Sequence, residues 1–130
     1  MTEPTYIYRI HIRPQGGSAN AHATFQYCLD QEVLGVGWRV SGNLTTAVPE
    51  EYLQLAKDEH PEPGALNQVA YMQRWIKPND LAWTRDADGN YYLARATSRW
   101  LYLTTERSRV GSDANVDIGN VFRCEILKVQ

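Results

Sequence analysis

At 130 residues the chain has room for one domain and not for two full cores. Its 43% hydrophobic content is that of an ordinary globular protein, and no apolar run approaches the length of a membrane span. The net charge of −2 argues against a general nucleic-acid coat, and two cysteines, Cys28 and Cys124, are too few for a disulfide scaffold.

The first residues, Met1-Thr2-Glu3-Pro4, form no basic, apolar leader, so the expected location is the cytoplasm, where both cysteines stay thiols. Residues 6–13 alternate, with Tyr8, Ile10 and Ile12 on one face, and predict a first strand with its even positions turned to the core. His11 falls on the solvated face. Pro14 to Gly17 ends that strand. Ser18 then caps a helix over residues 19–31, whose apolar face is Phe25, Cys28 and Leu29 at i, i+3 and i+4. Cys28 reads as a small buried hydrophobe. His22 extends the same face and could sit at a pocket rim, although a plain surface role suits it better.

Residues 32–40 predict a second strand containing Gly35 and Gly37. Glycine is costly inside a strand, so this pair marks a bulge or a point where something approaches the backbone closely, with Trp38 bordering the space. Pro49, Glu50 and Glu51 start a helix that stops near His60-Pro61-Glu62-Pro63-Gly64. A further helix over residues 65–75 carries Leu66, Val69, Ala70, Met72 and Trp75, and Met72 and Trp75 are expected to pack into the core.

A β-meander follows. Lys77-Pro78-Asn79-Asp80 is its opening turn, and its strands fall near residues 80–85, 90–97 and 99–104. Asp88-Gly89 is a strong hairpin signal, and Asp86 and Asp88 are expected to serve local hydrogen bonding there. Residues 106–115 read as a polar loop and residues 116–120 as a compact turn. Residues 121–129 form a last strand that returns to the sheet. Between Tyr71 and Arg109 the chain carries +3, and elsewhere −5, so a locally basic face stands on an acidic protein. Trp83, Trp100, Tyr91, Tyr92 and Tyr102 alternate with Arg85, Arg95 and Arg99 in this stretch. Aromatic rings and arginines on a small sheet suit a flat ligand with a phosphate backbone. A β-core with solvated edges accounts for the same composition.

Enzyme chemistry finds little footing. The three histidines are scattered, no serine or cysteine sits in a nucleophile elbow, and there is no CxxC or HxxxH. Gly35-Val36-Gly37 lacks the third glycine and the helix of a phosphate loop. No catalytic residue, metal or cofactor is called for. Binding is better served. Stacking contributes about 1–3 kcal/mol per base, so a few rings can hold one flipped base. Phe25, Trp38, Trp83, Trp100 and Tyr102 are the candidate walls of a pocket. Asp117 and Asn120 are candidate readers of the base edge, and Arg39, Arg85, Arg95 and Arg99 candidate phosphate contacts. Alternation puts Trp100 and Tyr102 on one side of their strand.

The succession Phe25-Gln26-Tyr27-Cys28, Leu34-Gly35-Val36-Gly37-Trp38-Arg39-Val40, Ile76-Lys77-Pro78-Asn79-Asp80-Leu81-Ala82-Trp83, Tyr91 to Arg95, Trp100-Leu101-Tyr102 and Asp117 to Arg123 resembles the EVE-like members of the PUA superfamily. It is most similar to those that stand beside nuclease domains in modification-dependent restriction systems. The resemblance implies an α+β fold: a small, partly open β-barrel of five to six strands with two to three helices at the rim. It also implies recognition of a modified cytosine, 5-methyl or 5-hydroxymethyl, flipped from duplex DNA into an aromatic pocket, with a nuclease as possible effector. Trp38, Trp100 and Tyr102 would then be pocket walls bordered by the Asp117–Asn120 turn. Two departures stand out: Asn79 replaces the usual glycine, and no nuclease domain follows within the chain. The alternatives are an RNA-binding PUA-like module, or a protein or peptide module using the same aromatic face.

Overall fold

A computed structural model describes residues 7–9, 18–40, 44–86, 88–103 and 118–129. The order of elements is β1 (Ile7–Arg9), α1 (Ser18–Gln31), β2 (Val33–Val36), α2 (Pro49–Glu59), α3 (Asn67–Trp75), β3 (Leu81–Arg85), β4 (Tyr91–Ala96), β5 (Leu101–Tyr102) and β6 (Asn120–Lys128). The described residues form an α+β fold, with three helices and one curled, mainly antiparallel sheet that makes a half-barrel. The strand order is β1-β3-β4-β6-β2, with β5 also paired to β6. Only β1 and β3 run parallel among these pairs. The polar loop expected over residues 106–115, together with His11 and Asp117, lies outside the described residues.

The nine-residue β6 is the spine. Its first half pairs with β2, from Val36↔Asn120 to Val33↔Arg123, and its second half with β4, from Ala96↔Cys124 to Tyr92↔Lys128. β5 meets β6 at Leu101↔Val121, two residues out of step with the β4 register. The two extra residues are accommodated between Ala96 and Leu101. There the Thr97 amide donates to the Arg123 carbonyl at 2.8 Å and the Arg123 amide to Ser98 Oγ at 2.9 Å. The slip bends β4 into β5 and turns Trp100 and Tyr102 toward the core, where they are 3% and 1% exposed.

Register fixes two faces. Ala82, Thr84, Tyr92, Ala94, Ala96, Phe122 and Cys124 are buried on the inner one. The outer face carries Trp83, Arg85, Tyr91, Arg95, Glu125 and Leu127. Core residues from the helices, Tyr27, Cys28, Tyr52, Ala56, Val69 and Met72, pack with the inner face. In α3 the buried positions are Val69, Met72 and then Ile76, so Trp75 falls outside that stripe. It is 46% exposed, with the Arg74 guanidinium 5.4 Å from its ring centroid. The expectation that Trp75 packs in the core is therefore corrected, whereas Met72 and Cys28 are buried as expected.

The local signals behave as their chemistry demands. Asp86 Oδ1 accepts from the amides of Asp88 and Asn90 at 3.0 and 2.8 Å, and Gly89 takes φ 91° in the hairpin. Asn79 takes φ 77°, a value suited to the glycine it replaces, and Asp80 closes the turn by accepting from the Lys77 amide at 3.2 Å and Nζ at 2.9 Å. Helix α1 stops where Glu32 turns left-handed, φ 54°. A Cβ at Gly35 would lie 1.8 Å from the Asn120 carbonyl oxygen. What approaches this glycine is therefore the backbone of β6. Gly35→Ala is expected to lower stability by about 3 kcal/mol in thermal or urea unfolding, since the neighbour that must yield is backbone.

Candidate functional site

Pairing between β2 and β6 ends at Val36↔Asn120. The chain then leaves the sheet through Gly37, Trp38, Arg39 and Val40, so the strand expected over residues 32–40 stops at Val36. These four residues have lost a ladder partner, and their buried polar groups need replacements. Side chains supply them. Asn120 Nδ2 donates to the Gly37 carbonyl at 2.7 Å. The Tyr52 hydroxyl donates to the Trp38 carbonyl at 2.6 Å. His60 Nε2 lies 2.8 Å from the Arg39 carbonyl, and the Val40 amide donates to the Tyr102 hydroxyl at 2.9 Å.

The orientation of the Asn120 amide follows from its partners. Trp100 Nε1 can only donate, and it lies 3.0 Å from Asn120 Oδ1. Nδ2 then faces Gly37 and the Tyr52 hydroxyl, the latter at 3.1 Å. Tyr52 is the hub of the rings, with centroids 5.8 Å from Trp100 and 5.1 Å from Tyr102. Asn120 and Tyr52 are fully buried, so each hydrogen bond replaces water that cannot enter.

Held by this network, Trp38 adopts φ 54°. That region is unfavourable for a bulky side chain. Trp38 is half-buried, and the His60 ring meets it edge-on at 5.3 Å and 83°. The result is a tryptophan whose backbone is fixed at the point where the chain leaves the barrel edge, with its ring against His60. Arg39, also half-buried, follows it directly.

The expected pocket residues divide. Trp38, Trp100, Tyr102 and Asn120 come together around Tyr52, and of these only Trp38 shows appreciable surface. Trp100 and Tyr102 do lie on the same side of their strand, and both meet Tyr52. Phe25 is buried elsewhere, 4.9 Å from the Tyr92 ring. Trp83 is on the outer face of the sheet with Arg85 and Arg95, opposite in side to Asn120. Of the arginines, Arg85 and Arg99 are exposed, and Arg95 pairs with Glu125 at 2.8 Å. Sequence reasoning missed Tyr52 and His60. A tyrosine in the first turns of an amphipathic helix is an ordinary core residue by pattern, and only its buried hydroxyl, which must find a partner, hints at more. No group of three or more His, Cys, Asp or Glu converges as a metal site among the described residues. No helix among them is long and apolar enough to cross a membrane.

Compared with protein-family models, curated proteins and solved structures, the chain gives no match. The likeness of its Gly-x-Gly-Trp, Lys-Pro-x-Asp-Leu and Trp-x-Tyr segments to EVE-like domains therefore rests on those segments alone.

Two outcomes follow from the network. Asn120→Asp places a carboxylate against the Gly37 carbonyl and removes two donors, so it should cost about 3 kcal/mol or more in urea unfolding. The second concerns alkali. Burial pushes the Tyr52 hydroxyl up to about 12, with Tyr102 and Glu59 adding to the rise and the Asn120 hydrogen bond opposing it. Burial, with Glu32 nearby, likewise pushes Cys124 up to about 12. Both groups fold as the neutral form. Their contribution is complete below the unfolded values of about 8.5 for cysteine and about 10 for tyrosine, and is lost as pH rises toward about 12. The urea midpoint should fall across that window, and Tyr52→Phe should make the fall above about pH 10 shallower.

Proposed function

We propose that the chain is a non-catalytic nucleic-acid reader that holds one base, flipped from duplex DNA, against Trp38. The base proposed is a modified cytosine, 5-methyl or 5-hydroxymethyl. The observation that carries this reading is the conformation of Trp38. A bulky residue is kept at φ 54° by hydrogen bonds to three successive carbonyls, from Asn120, Tyr52 and His60. Strain of this kind is retained where a fixed geometry is worth its cost. Fixing an indole before the ligand arrives removes the entropy that stacking would otherwise lose. In this reading Trp38 is the stacking wall. Trp100, Tyr102 and Asn120, sealed into the core, serve as its support. Arg39, which directly follows Trp38, and the exposed Arg99 are the proposed phosphate contacts: an arginine next to a stacking ring places charge where the backbone of a flipped nucleotide must pass.

The test is a titration of labelled duplexes that differ only in one cytosine, 5-methylcytosine or 5-hydroxymethylcytosine, with a single-stranded RNA alongside, at two salt concentrations. One modified duplex should be preferred, and the preference should persist as salt rises, because salt weakens mainly the backbone contribution. Trp38→Ala should weaken that binding by about 10- to 100-fold, while Trp38→Phe retains part of it. Equal, salt-sensitive binding to every duplex would reduce the site to a basic patch. Preference for the RNA would turn the same Trp38 platform into an RNA-binding module.

A further inference from the structure

The slip between β4 and β5 also sets two arginines against each other. Continued past its last pair, Ala96↔Cys124, the β4 register brings Thr97 opposite Arg123. Continued back from Leu101↔Val121, the β5 register brings Arg99 opposite the same residue. One hydroxyl fixes this crossing. Ser98 Oγ accepts from the Arg123 amide and donates to the Arg99 carbonyl, each at 2.9 Å. The Thr97 amide donates to the Arg123 carbonyl at 2.8 Å. The backbones of Arg99 and Arg123 are thus tied across the bend, and both side chains are exposed. Alternation along the chain does not single out Arg123, because only the slip sets it against Arg99.

Like charges directly opposite one another in a sheet are destabilising. Among the described residues no carboxylate offsets these two. Glu125, the nearest acid on β6, is bonded to Arg95 at 2.8 Å. Glu32, whose carbonyl accepts from the Cys124 amide, makes no ion pair with either arginine. A fixed pair of uncompensated guanidinium groups is completed by an anion. Guanidinium is weakly hydrated, and its planar fork meets the oxygens of a phosphate two at a time. We infer, resting on the nucleic-acid reading of the chain, that Arg99 and Arg123 together hold one phosphate of a DNA backbone at the β4–β5 bend. Contact with phosphate alone orients the duplex and adds affinity, without distinguishing one base from another. The pair is built into the same strands as the support of Trp38: Trp100 follows Arg99, and Asn120, to which its indole donates, precedes Arg123 on β6.

The test is a salt titration of an unmodified duplex with the full chain, in which the modified base plays no part. Arg99→Gln and Arg123→Gln should each lower the slope of log Kd against log salt by about one, and weaken binding about five- to tenfold near 0.1 M salt. Arg123→Lys keeps the charge and should keep the slope. Arg85→Gln, exposed at the far end of β3, should leave the slope unchanged. Because the two arginines repel each other in the free protein, neither glutamine variant should lower the urea midpoint. A lower midpoint in either variant, or an unchanged slope in both, overturns the inference. So does an equal fall in slope in Arg85→Gln, which would make the effect one of net charge. Displacement of the duplex by pyrophosphate or by oligoglutamate at matched ionic strength would give the pair to a small phosphate ligand or to an acidic peptide, and also overturns it. Trp38→Ala should leave the slope unchanged. Loss of modified-duplex preference with the arginine effects intact would therefore sink the base reading alone, and the reverse pattern the phosphate site alone. An unmodified duplex that binds at no salt concentration overturns the phosphate site outright.

Discussion

The structure depends on one buried carboxamide. Asn120 opens β6, and its side chain joins Gly37, Tyr52 and Trp100, three places separated from it by between 20 and 83 residues of chain. Each of these groups would otherwise be a buried polar atom without water, a cost comparable to a sizeable part of a small domain's stability. The amide meets them in the only orientation that its chemistry allows: oxygen toward an indole N–H, nitrogen toward a carbonyl and a hydroxyl. A carboxylate or an aliphatic residue of similar size cannot do this. The interaction therefore specifies geometry as well as contributing energy.

From that joint the rest of the site follows. β6 supplies one edge to β2 and the other to β4 and β5, and the two-residue slip between β4 and β5 brings Trp100 and Tyr102 inward beside Tyr52. Where β2 runs out of partner, the side chains gathered there take over the backbone hydrogen bonding of residues 37–40. A segment that would be a loop is thereby as constrained as a strand, and Trp38 is fixed with it. The close contact of Gly35 with the Asn120 backbone belongs to the same arrangement, because it lets β2 and β6 approach closely enough for the carboxamide to reach Gly37.

Pre-organisation of this kind suits binding. The strain at Trp38 lies in its backbone, at φ 54°, and is borne by the fold.

Much of the fold was legible in the sequence because it is written in neighbouring residues. Pro49 with two acids starts α2, Asp86 and Gly89 close the hairpin, Asn79 stands at a glycine-like turn, and period-two alternation separates inner from outer positions on β3 and β4. The glycine at 35 correctly signalled a close approach. Which aromatic rings would be sealed and which would remain at the surface was decided by tertiary structure. Trp83 and Trp100 have the same composition and nearly the same local setting, yet one faces outward and the other packs on Tyr52. The roles of Tyr52 and His60 were hidden for the same reason: their partners are backbone carbonyls 14 and 21 residues away, in a segment whose need for partners exists only because β6 ends its pairing at Asn120. Periodicity and turn chemistry act over a few residues and can be read from the chain. The satisfaction of buried polar groups is a property of the closed fold, and only the fold assigns it.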